Sequence, residues 1–203
     1  MANGKLHTSE KIVGFAHVQS RFCTRPFNVA YCTFNKVNGQ LKGRQNKYLN
    51  NMADSNNHRA AHLPAKPNVA LKQFQRIVGT WKETGGYNGT STYEWMEGGF
   101  FLIHHFDGVT PGGRRVKGVE YIGFDEDTGS LRSHLMDNHG SNFTYTHEIE
   151  GDELTSWFGD KGSSNFYTGR FSKDGNTITG RWQWPEGKGK TGGFEVTSTR
   201  ISS

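Results

Sequence analysis

The 203 residues suffice for one ordinary domain plus an extension. The net charge of +5 is uneven: residues 1–51 carry eight Lys/Arg against the single acid Glu10, whereas residues 52–203 hold 16 basic and 18 acidic residues. The larger part of the chain therefore has no positive field to attract phosphates, which argues against a nucleic-acid partner, and no apolar run approaches the ~18 residues of a membrane-spanning helix.

Three zones follow in chain order. Residues 1–51 form a basic extension, rich in Asn and Lys and without a sustained period, that reads as disordered or as foreign to the folded unit. Both cysteines, Cys23 and Cys32, lie there. The rest of the chain has none and suits a reducing, cytoplasmic compartment. The stretch from Ile12 to Phe22 is broken by His17, Gln19, Ser20 and Arg21, so it lacks the uninterrupted apolar core of a signal peptide. Residues 52–68 read as a polar leader with two prolines, beginning at a natural start, Met52. Residues 69–203 form the domain. The patterns Asn88-Gly89-Thr90 and Asn142-Phe143-Thr144 match a glycosylation acceptor, and without a secretion signal they are read as chance.

The domain opens on a short helix, Val69 to Val78. Leu71, Phe74, Ile77 and Val78 recur at helical spacing, and Asn68 is placed to cap it. From Gly79 onward, β-rich runs alternate with turns every ten to twelve residues. They are Thr80–Thr84, Thr90–Met96, Phe100–Asp107, Arg115–Asp125, Ser130–Asp137, Asn142–Ile149, Glu153–Phe158, Asn165–Ser172, Thr177–Trp184 and Gly192–Ile201. The links include Glu97-Gly98-Gly99, Lys173-Asp174-Gly175-Asn176 and Pro185-Glu186-Gly187, with residues that tolerate positive φ. No link can hold a crossover helix, so the strands pair as an antiparallel meander. A long meander best avoids exposed edges by closing on itself. The fold class is all-β, a closed up-and-down barrel of about ten strands.

Gly79-Thr80-Trp81 opens the first strand and Arg200 sits on the last. This pairing resembles the signature of the calycin superfamily, the lipocalins and fatty-acid-binding proteins, and implies that Trp81 closes one barrel end with Arg200 lying across its ring. Gly89-Thr90-Ser91-Thr92-Tyr93-Glu94-Trp95, Gly98-Gly99-Phe100-Phe101-Leu102, Gly118-Val119-Glu120-Tyr121-Ile122-Gly123-Phe124-Asp125 and Asp174-Gly175-Asn176-Thr177-Ile178-Thr179-Gly180-Arg181-Trp182 resemble, in order and spacing, a family of small, largely bacterial lipocalin-like proteins of unassigned function. That resemblance covers about Leu71 to Ile201 and implies a fold without implying a reaction. More distantly, Gly79-Thr80-Trp81 followed by Gly85-Gly86-Tyr87 is similar to nitrobindin, a haem-binding ten-stranded barrel whose iron is held by a His late in the chain. Here no His follows His147, so no haem or other cofactor is expected.

Several residues are candidates for chemistry. His104 and His105 are adjacent on one strand, so at most one points inward, and both strand faces are apolar. Glu120 stands among Val116, Gly118, Ile122 and Phe124, where a carboxylate is costly unless paired, with Arg181, Arg132 or His104 as partners, or else faces outward. His134, His139 and His147 lack the spacing of a metal site. Gly187-Lys188-Gly189-Lys190-Thr191-Gly192 lacks the spacing and the helix of a phosphate loop.

A ten-stranded barrel encloses more space than an eight-stranded one, whose side chains nearly fill it. The expected function is binding of a small apolar or amphipathic ligand, such as a medium-chain fatty acid, with His104, Glu120, Tyr145, Arg181, Tyr93 and Trp95 as ligand-binding residues and no metal. The alternatives are a small enzyme of isomerase or cyclase type using the same cavity, and an interaction scaffold with a filled interior. An inward His paired with an inward carboxylate would favour the enzyme. A homodimer is compatible with either.

Overall fold

The computed structural model describes residues 61–203. The expectations for residues 1–51, and for the leader as far as residue 60, lie outside the described residues. From Lys66 onward the described chain belongs to one compact unit.

A 3₁₀ helix, Val69–Ile77, precedes ten strands: β1 (Gly79–Gly85), β2 (Asn88–Trp95), β3 (Phe101–Val109), β4 (Arg115–Asp125), β5 (Ser130–Asp137), β6 (Asn142–Glu150), β7 (Glu153–Phe158), β8 (Phe166–Phe171), β9 (Thr177–Gly187) and β10 (Lys190–Ser202). Each strand pairs antiparallel with its neighbours in sequence, and β1 pairs with β10, so the barrel is closed. Closure removes both free edges.

The helix is tighter than an α-helix for a reason visible in its sequence. Its buried residues, Leu71, Phe74 and Ile77, recur every three positions. In a 3₁₀ helix residues i and i+3 eclipse, so all three fall on one line. Asn68 caps the start by accepting from the Ala70 backbone N–H at 2.9 Å. Nine residues are long for such a helix, and tertiary bonds hold it. Trp95 Nε1 donates to Gln75 Oε1 at 2.9 Å, and the Ile149 backbone N–H donates to Gln73 Oε1 at 3.0 Å. The buried line plugs one barrel end and packs with Trp81, Leu102, Ile122, Leu131, Phe171 and Ile178. Each fully buried aliphatic or aromatic side chain there contributes about 1.5–3 kcal/mol.

The last hairpin departs from expectation. Strand β9 continues through Pro185 to Gly187, and the turn is Lys188-Gly189, with φ of 49° and 73°. Both central residues of the two-residue link have positive φ, as a hairpin matched to strand twist requires. Pro185 is accommodated because the register slips beside it, Lys190 facing Gly187 and Thr191 facing Pro185.

The opposite end of the barrel is built differently. Glycines there face aromatic rings. A Cβ on Gly108 would meet Tyr87 at 2.5 Å, one on Gly118 would meet Phe106 at 2.4 Å, and one on Gly180 would meet the Tyr167 hydroxyl at 2.4 Å. Rings from β3, β8 and the β1–β2 link therefore lie against glycine backbone, narrowing that end from within.

Candidate functional site

Between the plugged end and the ring-lined end lies a cavity of about 150 Å³. A belt of polar side chains crosses its wall. Ser156 on β7 faces His147 on β6 in register, and His104 on β3 stands directly opposite both Glu120 on β4 and Tyr93 on β2. Glu83 on β1 stands opposite Ser198 on β10.

The belt divides into two clusters. In the first, everything converges on Glu120, which is 7% exposed. His104 Nδ1 lies 2.9 Å from Glu120 Oε2, and the Ser133 hydroxyl donates to Oε1. His147 Nε2 lies 2.8 Å from Ser133 Oγ and 3.5 Å from Glu120 Oε1, while its Nδ1 lies 2.9 Å from Ser156 Oγ. An ionised carboxylate only accepts, so the bond directions follow. Ser133 gives its proton to Glu120 and accepts from His147 Nε2–H, while His147 Nδ1 bonds the Ser156 hydroxyl. Burial opposes ionisation of Glu120, but the hydrogen bonds and charges of His104 and His147 outweigh it and hold the carboxyl well below the usual carboxylate range.

The second cluster is poorer. Glu83, 6% exposed, accepts from the Ser198 hydroxyl at 2.6 Å and also bonds Ser91. Its carboxyl is raised above its ordinary value by burial, which outweighs these bonds and the nearby His104. Tyr93, Tyr145 and Tyr167 are likewise raised by burial beside these carboxylates.

His104 joins the two clusters. Its ring stacks on Tyr93, with centroids 4.1 Å apart and planes 13° apart. Its Nδ1 is fixed by Glu120, and its Nε2 is buried with no hydrogen-bond partner. Buried polar atoms without partners are rare in folded proteins and call for a reason. A histidine with one nitrogen oriented by a carboxylate and the other without a partner is suited to exchange a proton or a hydrogen bond with a bound molecule.

The six candidate residues separate. His104, Glu120, Tyr145 and Tyr93 line the cavity together. His105 points outward, its side chain 55% exposed beside Glu94. Arg181 does not reach the interior, because strand alternation turns it to the outer surface, where it pairs with Glu195 at 2.8 Å. Arg132 pairs with Asp160 at 3.1 Å instead of Glu120. Trp95 sits at the plugged end, bonded to Gln75, and does not line the cavity. The signature residues meet as expected: the Arg200 guanidinium lies 4.1 Å from the Trp81 ring centroid. Among the described residues no group of three or more His, Cys, Asp or Glu is arranged to hold a metal ion, and no helix is long and apolar enough to cross a membrane.

Glu83, Ser133 and His147 were missed as site residues, although the alternation carried the signal. Trp81 faces inward, so Glu83, two residues on, does too. His147 follows Tyr145 by the same rule, and Ser133 is a lone polar residue between Leu131 and Leu135 on one strand face.

No family model matches the chain, and no curated protein matches it. Solved structures do. A de novo designed fluorescence-activating β-barrel is 15% identical with a TM-score of 0.36, covering 62% of this chain and 94% of its own. Rv2717c from M. tuberculosis is 15% identical with a TM-score of 0.45, covering 66% of this chain and 99% of its own.

Proposed function

We propose that the barrel binds a small amphipathic molecule in its interior, in the manner of a lipocalin-like binding protein. One observation carries this reading: a partly open, aromatic-walled cavity of about 150 Å³ lined by His104, whose buried Nε2 has no hydrogen-bond partner. A void of that size in a protein core holds a benzene-sized molecule. It favours a one-ring ligand over the extended chain of a fatty acid. The Trp81–Arg200 closure supports the calycin reading of the plugged end.

The test is twofold. Native mass spectrometry of protein purified from cells is expected to show a retained small molecule. Calorimetric titration with one-ring compounds is expected to give saturable binding that is lost on filling the cavity by Ser198→Phe. A protein that carries nothing and binds no one-ring compound would remove the proposal.

The geometry of His104 favours a second reading, an enzyme in which this histidine is the acid–base group and Glu120 orients it. Turnover abolished by His104→Gln with ligand binding retained would separate it from simple binding.

A further inference from the structure

Resting on that ligand-binding reading, we infer that the cavity selects a small organic cation, of the class of protonated aromatic amines, over neutral molecules of the same shape, and rejects carboxylates. The charge inventory leads there. Two carboxylates, Glu83 and Glu120, line the cavity, and no Lys or Arg does. Arg181 and Arg132 lie outside and are paired with Glu195 and Asp160. Arg200 spends its guanidinium on the backbone carbonyls of Arg76, Val78 and Gly175.

The two carboxylates are not equivalent. Glu120 collects its donors from His104, Ser133 and His147. Glu83 accepts hydrogen bonds only from the hydroxyls of Ser198 and Ser91, while His104 acts on it by charge without bonding it, and burial outweighs all three. A buried carboxylate with no charged group in hydrogen-bond contact is stabilised by a cation brought beside it. An ammonium group beside Glu83 would supply the charged donor that its two serines do not, with several N–H bonds for the carboxylate to accept.

The walls complete the match. Tyr93, Phe106, Tyr145, Tyr167 and Trp182 surround the space, and ring faces attract cations strongly once water is excluded. An anion would instead be desolvated against two carboxylates, which works as selection against it.

The experiment uses the full chain and three probes of nearly one shape: benzylammonium, benzyl alcohol and benzoate, titrated by calorimetry. Benzylammonium is expected to bind at least tenfold more tightly than benzyl alcohol, and benzoate not to bind. In Glu83→Gln the benzylammonium affinity is expected to fall at least tenfold, with a cooperative thermal melt showing that the variant is folded. The groups facing Glu83 from the packed elements are Tyr87, Tyr93, His104 and Tyr167. Only the ionised form of Glu83 attracts the cation, so benzylammonium affinity is expected to rise with pH in the wild type and to lose that rise in Glu83→Gln. Equal binding of the alcohol, any binding of benzoate, or a pH rise that persists in the variant would overturn charge selection and leave ligand binding standing. No binding by any of the three would overturn the ligand-binding reading with it.

Discussion

The guanidinium of Arg200 lies 4.1 Å from the centre of the Trp81 ring and reaches three backbone carbonyls, those of Arg76 and Val78 at the helix end and that of Gly175 in the β8–β9 turn. Trp81 meanwhile donates its own N–H to the Ile77 carbonyl at 2.7 Å. The last strand thus fastens the helix that plugs the barrel. Arg200→Ala is expected to destabilise the protein by about 1–3 kcal/mol in urea denaturation, through the lost cation–π contact and the stranded carbonyls. Arg200→Lys should recover only part of this, since a single ammonium nitrogen lacks the planar fork whose two separate nitrogens reach these carbonyls. A full recovery by Lys would show that charge alone matters.

Glu83 is expected to cost stability at neutral pH. Burial raises its carboxyl above the ordinary value. Between the unfolded and folded values the native state holds more protons, so stability falls as pH rises through that window. Glu83→Gln can still accept from Ser198 and removes the loss. Its melting temperature should match wild type below the usual carboxylate range and exceed it increasingly as pH rises. A variant that melts lower at every pH would contradict this.

Glu120 behaves oppositely. Its carboxyl is held low by His104 and His147 against the cost of burial, so its contribution is present above the usual carboxylate range and disappears as pH falls through its lowered value. Glu120→Gln should destabilise the protein by about 1–3 kcal/mol at neutral pH, because donors aimed at a carboxylate lose an acceptor. The gap should narrow in strong acid. Calorimetric melts across the acid range would measure it.

These opposite behaviours mark where the sequence was readable. The barrel was legible because each of its ten strands carries its own alternation and its own turn residues, which are local signals. Inward placement of Glu83 was equally available from Trp81 two residues earlier. Arg181 was misplaced although its strand alternates, Ile178, Gly180, Trp182 and Trp184 falling on one face and Thr177, Thr179, Arg181 and Gln183 on the other, so its outward position was available in the sequence. The link from Ser156 through His147 and Ser133 to Glu120 was not legible. It runs across four strands, and its diagonal steps depend on the register between them.

Gly180→Ala should act on both fold and cavity. The added carbon would meet the Thr168 carbonyl oxygen at 2.5 Å and the Tyr167 hydroxyl at 2.4 Å, so the ring must move. A loss of roughly 1–3 kcal/mol is expected from the overpacking, with weaker binding of any one-ring probe. Unchanged probe affinity would show that Tyr167 does not govern the space.

Removal of residues 1–51 should leave the thermal midpoint of the remaining chain nearly unchanged, since their charge and composition differ from those of the barrel domain. A drop of many degrees in a melt of the shortened chain would move the domain boundary toward the amino terminus.

The rings seated on glycine also set a tempo. Tyr87, Phe106 and Tyr167 are buried to within 8% exposure and lie against backbone, with no Cβ beneath to hold them apart from it. A molecule that enters past these rings has to displace them, so passage on that route waits on a fluctuation of the protein and runs below the rate of free encounter. The same delay applies on the way out. A ligand held by modest contacts would then stay bound longer than its affinity alone implies, and the barrel would hold its occupant as much by slow release as by strong attraction.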